Sequence, residues 1–169
     1  MKTIPDAEIF AAIRQLLAEG GDKAVAFGSV ARATGLAAPT LVQRYGSRDD
    51  MLRAALMAAW DTLDATTAEA EGRADHGPKG AQALLKALGA DGESVDVALL
   101  AADFRDAALR ERAASWRRRV ETALALRLSG GAKGREGAAV LFAAWQGQRI
   151  WLAAGGKGFK LKDALKRLA

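Results

Sequence analysis

The chain reads as all-α, on three observations. Alanine and leucine dominate the composition while β-branched residues are thin, which favours helix. No stretch alternates apolar and polar residues with period two for long enough to make a strand. Glycine-rich breaks instead divide the sequence into blocks whose apolar residues recur at helical spacing.

The first block, 6–19, places Ile9, Phe10, Ile13, Leu16 and Leu17 on one side, and Gly20-Gly21 ends it. Two short blocks follow, 27–34 stopped by Gly35 and 38–45 stopped by Gly46. A long helix is expected from Arg48 to about Glu71, with Met51, Leu52, Ala55, Leu56, Ala59, Trp60 and Leu63 along one side. The stretch GRADHGPKG (72–80) lacks large apolar residues and reads as the best internal linker. Beyond it, helices are expected at 81–88, 94–103, 106–128, 135–154 and 161–168, with a break near Arg112 left open. The loops GADG, SGGAKG and GGKG separate them. Neither of the last two continues into the Lys-Ser/Thr of a phosphate loop or follows a strand, so they read as turns.

A chain of 169 residues fits one domain or two small ones, and buries enough surface to need no staples. It has no cysteine, so disulfides and thiolate metal sites are excluded. The N-terminal MKTIPDAEIF lacks an apolar signal core, and the apolar run 137–145 is far too short to span a bilayer. The expectation is a soluble cytoplasmic protein. A net charge of +5 and a pI near 9.8 permit an anionic partner without demanding one.

The two short blocks and the tight glycine turn between them describe a helix-turn-helix. Gly35 supplies the positive φ that ends the first helix, and Pro39 sits in the first turn of the second, where its missing N–H leaves no bond unmade. Val30, Ala31, Leu36, Leu41 and Tyr45 are expected to face inward. That leaves Pro39, Thr40, Gln43 and Arg44 on one exposed face, with groups that bond base edges or phosphates. Ser47 follows as an N-cap, with Asp50 in a capping-box position and Asp49 also near the positive end of the long helix.

In this order, the blocks of residues 6–63 resemble the N-terminal domain of TetR-type transcriptional regulators. Val30-Ala31, Gly35-Leu36, Thr40-Leu41, Tyr45, Ser47-Arg48-Asp49 and Met51 carry the resemblance, and FKLKDALKRL looks like the family's closing helix. The family's usual Thr, Ser and Tyr are here Ala26, Ala37 and Val42. The resemblance implies a DNA-binding domain over 1–50 and a helical ligand-binding and dimerisation domain over 51–169. It adds Val42 and Arg48 to the DNA-contacting set, Arg44 and Arg48 standing in for the lost hydroxyls. It also implies a ligand cavity walled by Trp60, Phe104, Trp116 and Trp145, with Asp103 or Gln146 as polar anchors. The 135–154 helix is apolar on more than one side, so a second copy is expected against Ala143, Gly147, Ile150 and Trp151.

Other features have plainer readings. His76 is the one histidine and lies in the linker, so neither a metal site nor a Ser/His/Asp constellation can be argued. Arg117, Arg118 and Arg119 point around a helix and read as a solvated face. The function expected is a DNA-binding homodimer on a near-palindromic operator, a repressor released by a small molecule, with no cofactor and no enzymatic activity. The alternatives are a TetR-like DNA binder without an effector, or a helical ligand-binding protein with an altered DNA face.

Overall fold

The computed structural model describes residues 4–89, 106–128, 130–158 and 160–168. Among these, the chain forms eight α-helices and one 3-10 turn: α1 (Asp6–Gly20), the turn Asp22–Ala24, α2 (Phe27–Thr34), α3 (Ala38–Tyr45), α4 (Arg48–Arg73), α5 (Pro78–Leu88), α6 (Ala107–Ala125), α7 (Gly131–Ala153) and α8 (Leu161–Leu168). The expected helix at 94–103 lies outside the described residues. No described helix is long and apolar enough to cross a membrane. The chain divides into two compact units, residues 1–60 and 61–169, and the division falls inside α4.

The first unit is a three-helix head closed by the start of α4. Ile9, Ile13, Val25, Val30, Leu41 and Met51 are fully buried in its core, each worth roughly 1.5–3 kcal/mol of hydrophobic stabilisation. Gly35 takes the left-handed conformation (φ +73°) and returns its N–H to the Ala31 carbonyl at 2.8 Å, ending α2 in the geometry an L side chain resists. Pro39 lies in the first turn of α3. At the start of α2, Ser29 Oγ accepts the Ala26 N–H at 2.9 Å, which is half of a capping box. Ala26 has no hydroxyl to complete it.

Ser47 caps α4. Its Oγ accepts the Asp50 N–H at 3.0 Å and donates to Asp50 Oδ2 at 2.6 Å. The Ser47 N–H bonds the Tyr45 carbonyl at 2.9 Å, so Asp50 meets the cap through the hydroxyl rather than the backbone.

The second unit packs α5, α6, α7 and α8 with residues 61–73 of α4. Helix α6 packs extensively on α7. Trp116 is buried, with its ring edge-on to Phe142 (5.8 Å between centroids) and its indole N–H donated to Thr67 Oγ1 at 2.8 Å. Thr67 passes its own proton to the Leu63 carbonyl at 2.6 Å, so this buried polar layer is satisfied. Arg112 pairs with Asp61 (2.7 Å) and Asp64, and Arg119 forks onto both carboxylate oxygens of Glu71 at 3.0 Å. Arg127 is 8% exposed and donates to the carbonyls of Glu71 (2.8 Å), Ala74 (3.0 Å) and Ala123 (2.9 Å). A cation there supplies donors to the orphan carbonyls that end α4.

Three expected boundaries move. Helix α4 reaches Arg73 and α5 begins at Pro78, so the 72–80 linker condenses to the turn 74–77. Proline serves as a helix start here, and Gly80 is buried so close to the turn that a Cβ would overlap the Asp75 carbonyl oxygen (1.6 Å). Helix α7 begins at Gly131 rather than residue 135, taking up most of the SGGAKG loop. Gly134, Gly137 and Ala138 are buried, and their burial outweighs glycine's poor helix propensity. Helix α6 runs unbroken past Arg112, with Asp106 accepting from the N–H groups of Ala108 (2.9 Å) and Leu109 (3.0 Å) as its N-cap.

Candidate functional site

The α2–turn–α3 corner presents a short, smooth face. Leu41 is buried and Tyr45 half-buried on the inner side of α3, while Pro39, Val42, Gln43 and Arg44 are exposed and Thr40 is half-buried. Neither Thr40 nor Gln43 spends its polar side chain within the described residues, so both are available to a partner. Val42 is 44% exposed and offers an apolar contact where the resemblance expects an aromatic one.

Arg44 and Arg48 are differently placed. Arg44 Nη1 donates to the Ile4 carbonyl at 3.0 Å and Nη2 pairs with Asp6 at 3.0 Å. The Tyr45 hydroxyl donates to the same carboxylate, and Phe10 packs on the Tyr45 ring at 6.1 Å. Burial, then the Asp6 hydrogen bond and charge, push the Tyr45 phenol well above the usual range. Arg48 donates from Nε to the Val25 carbonyl at 2.8 Å and pairs with Asp22 and Asp49, each at 2.9 Å. Both guanidinium groups, expected on DNA, are engaged in holding the head together.

Sequence reasoning missed Arg32 and Lys23. Both are exposed and neither forms an ion pair among the described residues. For Arg32 the signal was available, since no acid lies three or four positions away on α2. Over residues 1–60, seven Lys and Arg face six Asp and Glu, so these two cations matter to any phosphate contact.

In the second unit, a groove of about 510 Å³ opens between the ends of α5 and α7 and the start of α8. Of the residues expected to wall a ligand cavity, Trp145 lines this groove. Trp116 lies in the core against Thr67 and Phe142, Gln146 is half-buried on α7, and Trp60 is buried in the first unit. Asp103 and Phe104 lie outside the described residues. Arg117, Arg118 and Arg119 each meet a carboxylate, Glu121, Glu111 and Glu71 respectively.

One face of α7 has no cover within the chain's described residues. Trp151 is 68% exposed and Ile150 50%, with Val140 and Ala143 exposed along the same helix. Gly147 is half-buried between them, and a Cβ built on it meets nothing within 4 Å. Contiguous exposed apolar surface of this kind marks an interaction site.

No protein-family model and no curated protein matches the sequence. Solved structures do match its backbone. A transcriptional regulator from Rhodococcus sp. RHA1 superposes with a TM-score of 0.77 at 22% identity, over 98% of this chain and 94% of that one. The multidrug binding protein EbrR, complexed with malachite green, gives 0.71 at 23% identity over 98% of both chains. A TetR family member from Streptomyces coelicolor gives 0.71 at 22% identity, over 96% of this chain and 94% of that one. Together with the helix-turn-helix corner, these likenesses establish that the chain has the fold of TetR-type transcriptional regulators along nearly its whole length.

Proposed function

We propose that the chain is a DNA-binding transcriptional regulator, a homodimer acting in the cytoplasm as a repressor and released from its operator by a small molecule. The observation that supports this best is the α2–turn–α3 corner, whose second helix is braced from behind and shows Pro39, Thr40, Val42 and Gln43 outward. Short polar and apolar side chains on a buttressed helix suit entry into a major groove. Arg32 and Lys23 would add phosphate contacts, while Arg44 and Arg48 act first on the fold of the head. The apolar face of α7 would join two copies, setting the reading helices about 34 Å or a multiple apart and demanding a near-palindromic site. An effector bound more tightly by an arrangement that fits DNA poorly would shift the population away from it.

EbrR, with its bound dye, lends analogy to a ligand site in the second unit, and the regulators among the similar structures favour binding over catalysis. The test is selection of bound fragments from the source genome, followed by a gel shift on the enriched sequence. Retention of a near-palindromic fragment by two chains is expected. A second reading, a ligand-binding protein with an altered DNA face, is favoured by the nearly balanced charge of residues 1–60 and the missing hydroxyls at Ala26 and Ala37. Failure to retain any fragment at low salt would select it.

A further inference from the structure

The groove between α5, α7 and α8 carries charge of one sign. Lys86, Arg149 and Lys160 line it, and among the described residues no carboxylate does. Leu85, Trp145 and Leu161 give the same groove an apolar wall. Arg149 is held in place without a counter-ion: Nη1 donates to the Gly89 carbonyl at 2.7 Å and the guanidinium lies 5.9 Å from the Trp145 ring centroid. It pairs with no carboxylate among the described residues, and its Nε is buried with no acceptor. In the same unit Arg112 and Arg119 are matched to acids, and Arg127, whose Nε is likewise buried without an acceptor, donates to three carbonyls where Arg149 donates to one. A half-buried guanidinium left unmatched is costly unless something else supplies the acceptor. The approach is close, for a Cβ on Gly89 would come within 2.9 Å of Arg149 Nη1.

We infer that this groove binds a small amphipathic organic anion, a monocarboxylate on a short acyl or aryl body. The carboxylate sits among Arg149, Lys86 and Lys160, where charge-assisted hydrogen bonds are strongest. The apolar body lies on Leu85, Trp145 and Leu161, and the volume is in the range of ordinary ligand sites. A cation of the same shape meets three like charges. That the anion is also the effector rests on the regulatory reading above; its binding does not.

The test uses the full chain without DNA, so it succeeds or fails separately from that reading. Octanoate, 1-octanol and octyltrimethylammonium are titrated by calorimetry, with tryptophan fluorescence as a second signal. Octanoate is expected to saturate one site per chain, at least about tenfold more tightly than the alcohol, with the ammonium ion not binding. Arg149→Gln is expected to weaken octanoate about tenfold and Lys160→Gln about threefold. Equal binding of the alcohol or the ammonium ion overturns the inference, as does no octanoate binding at millimolar concentration. Unchanged affinity in Arg149→Gln overturns it too. Should that variant lose helicity, the exposed Lys160→Gln decides, and its unchanged affinity is likewise fatal.

Discussion

The two units close their surfaces in different ways. In residues 1–60 the polar staples sit on the outside: Arg44 ties α3 to Ile4 and Asp6, and Arg48 ties α4 to Asp22 and Val25. In residues 61–169 the staples are partly interior, with Arg127 buried under the end of α4 and Trp116 bonded to Thr67, while Trp151 and Ile150 stand in solvent. The head is therefore closed by its own contacts and offers a partner Thr40, Val42 and Gln43, with the exposed cations Arg32 and Lys23. The second unit, among the described residues, leaves one apolar face of α7 uncovered and is incomplete in that respect. The difference fits the proposed function, in which the head keeps one shape on DNA and the second unit pairs with another copy.

The largest expected effect comes from attacking that incompleteness. Gly147 has room for a side chain within its own chain, so Gly147→Glu should fold normally and place a charge on the uncovered face. Wild type is expected to sediment as a dimer at micromolar concentration and the variant as a monomer. Operator binding should fall at least about a hundredfold, because two linked half-site contacts become independent. A wild-type monomer, binding operator one chain at a time, would remove the contrast altogether.

The interior staple is next. Arg127→Met keeps much of the side-chain volume but leaves the carbonyls of Glu71, Ala74 and Ala123 without their donor. A loss of about 3 kcal/mol is expected, and a fall in Tm of roughly 6–12 °C. A loss below about 1 kcal/mol in chemical denaturation would mean water replaces the guanidinium at little cost.

How much of this was legible in the sequence follows the same division. Gly35, Gly46, Pro39 and Ser47 act on neighbours within four positions, so the corner and its helix ends could be read locally. The roles of Arg44 and Arg48 could not, because their partners lie 40 and 23 residues away. Local pattern shows an arginine on an exposed helix face; only the fold shows what it holds. The role of Arg127 is out of reach for the same reason, since its partners Glu71 and Ala74 lie 56 and 53 residues away. The start of α7 was missed because Gly130, Gly131 and Gly134 spell a turn by propensity: Gly130 and Gly131 do take positive φ and stay exposed, and of the three only Gly134 is buried within the helix.

Whether Arg44 braces the head or touches DNA is open to a paired substitution. As a brace, Arg44→Ala and Asp6→Ala should each cost about 1 kcal/mol of stability and weaken operator binding to a similar extent. Gln43→Ala should leave the unfolding curve unchanged and weaken the operator by about 1–3 kcal/mol. If Arg44→Ala alone loses DNA, at unchanged stability, the guanidinium must leave Asp6 for a phosphate or a base on binding.

The smallest effect is the most local. The Tyr45 phenol is raised by burial and by the Asp6 carboxylate that accepts its proton, so folding favours the neutral hydroxyl. A group raised in the folded state stabilises fully below its unfolded pKa, about 10 for tyrosine, and that contribution drains away as pH climbs from there toward the folded value. The head should thus lose stability above about pH 10, and Tyr45→Phe should show a shallower loss over the same range. The sequence holds a single tyrosine, so its ionisation can be followed directly by ultraviolet absorbance. In the folded chain the tyrosinate should appear at higher pH than in denaturant. Asp6→Asn should bring the midpoint part of the way back, leaving the share due to burial. Identical midpoints for the folded and denatured chains would show that the phenol is neither buried nor bonded to Asp6 in solution, and would remove the outer staple that closes the head.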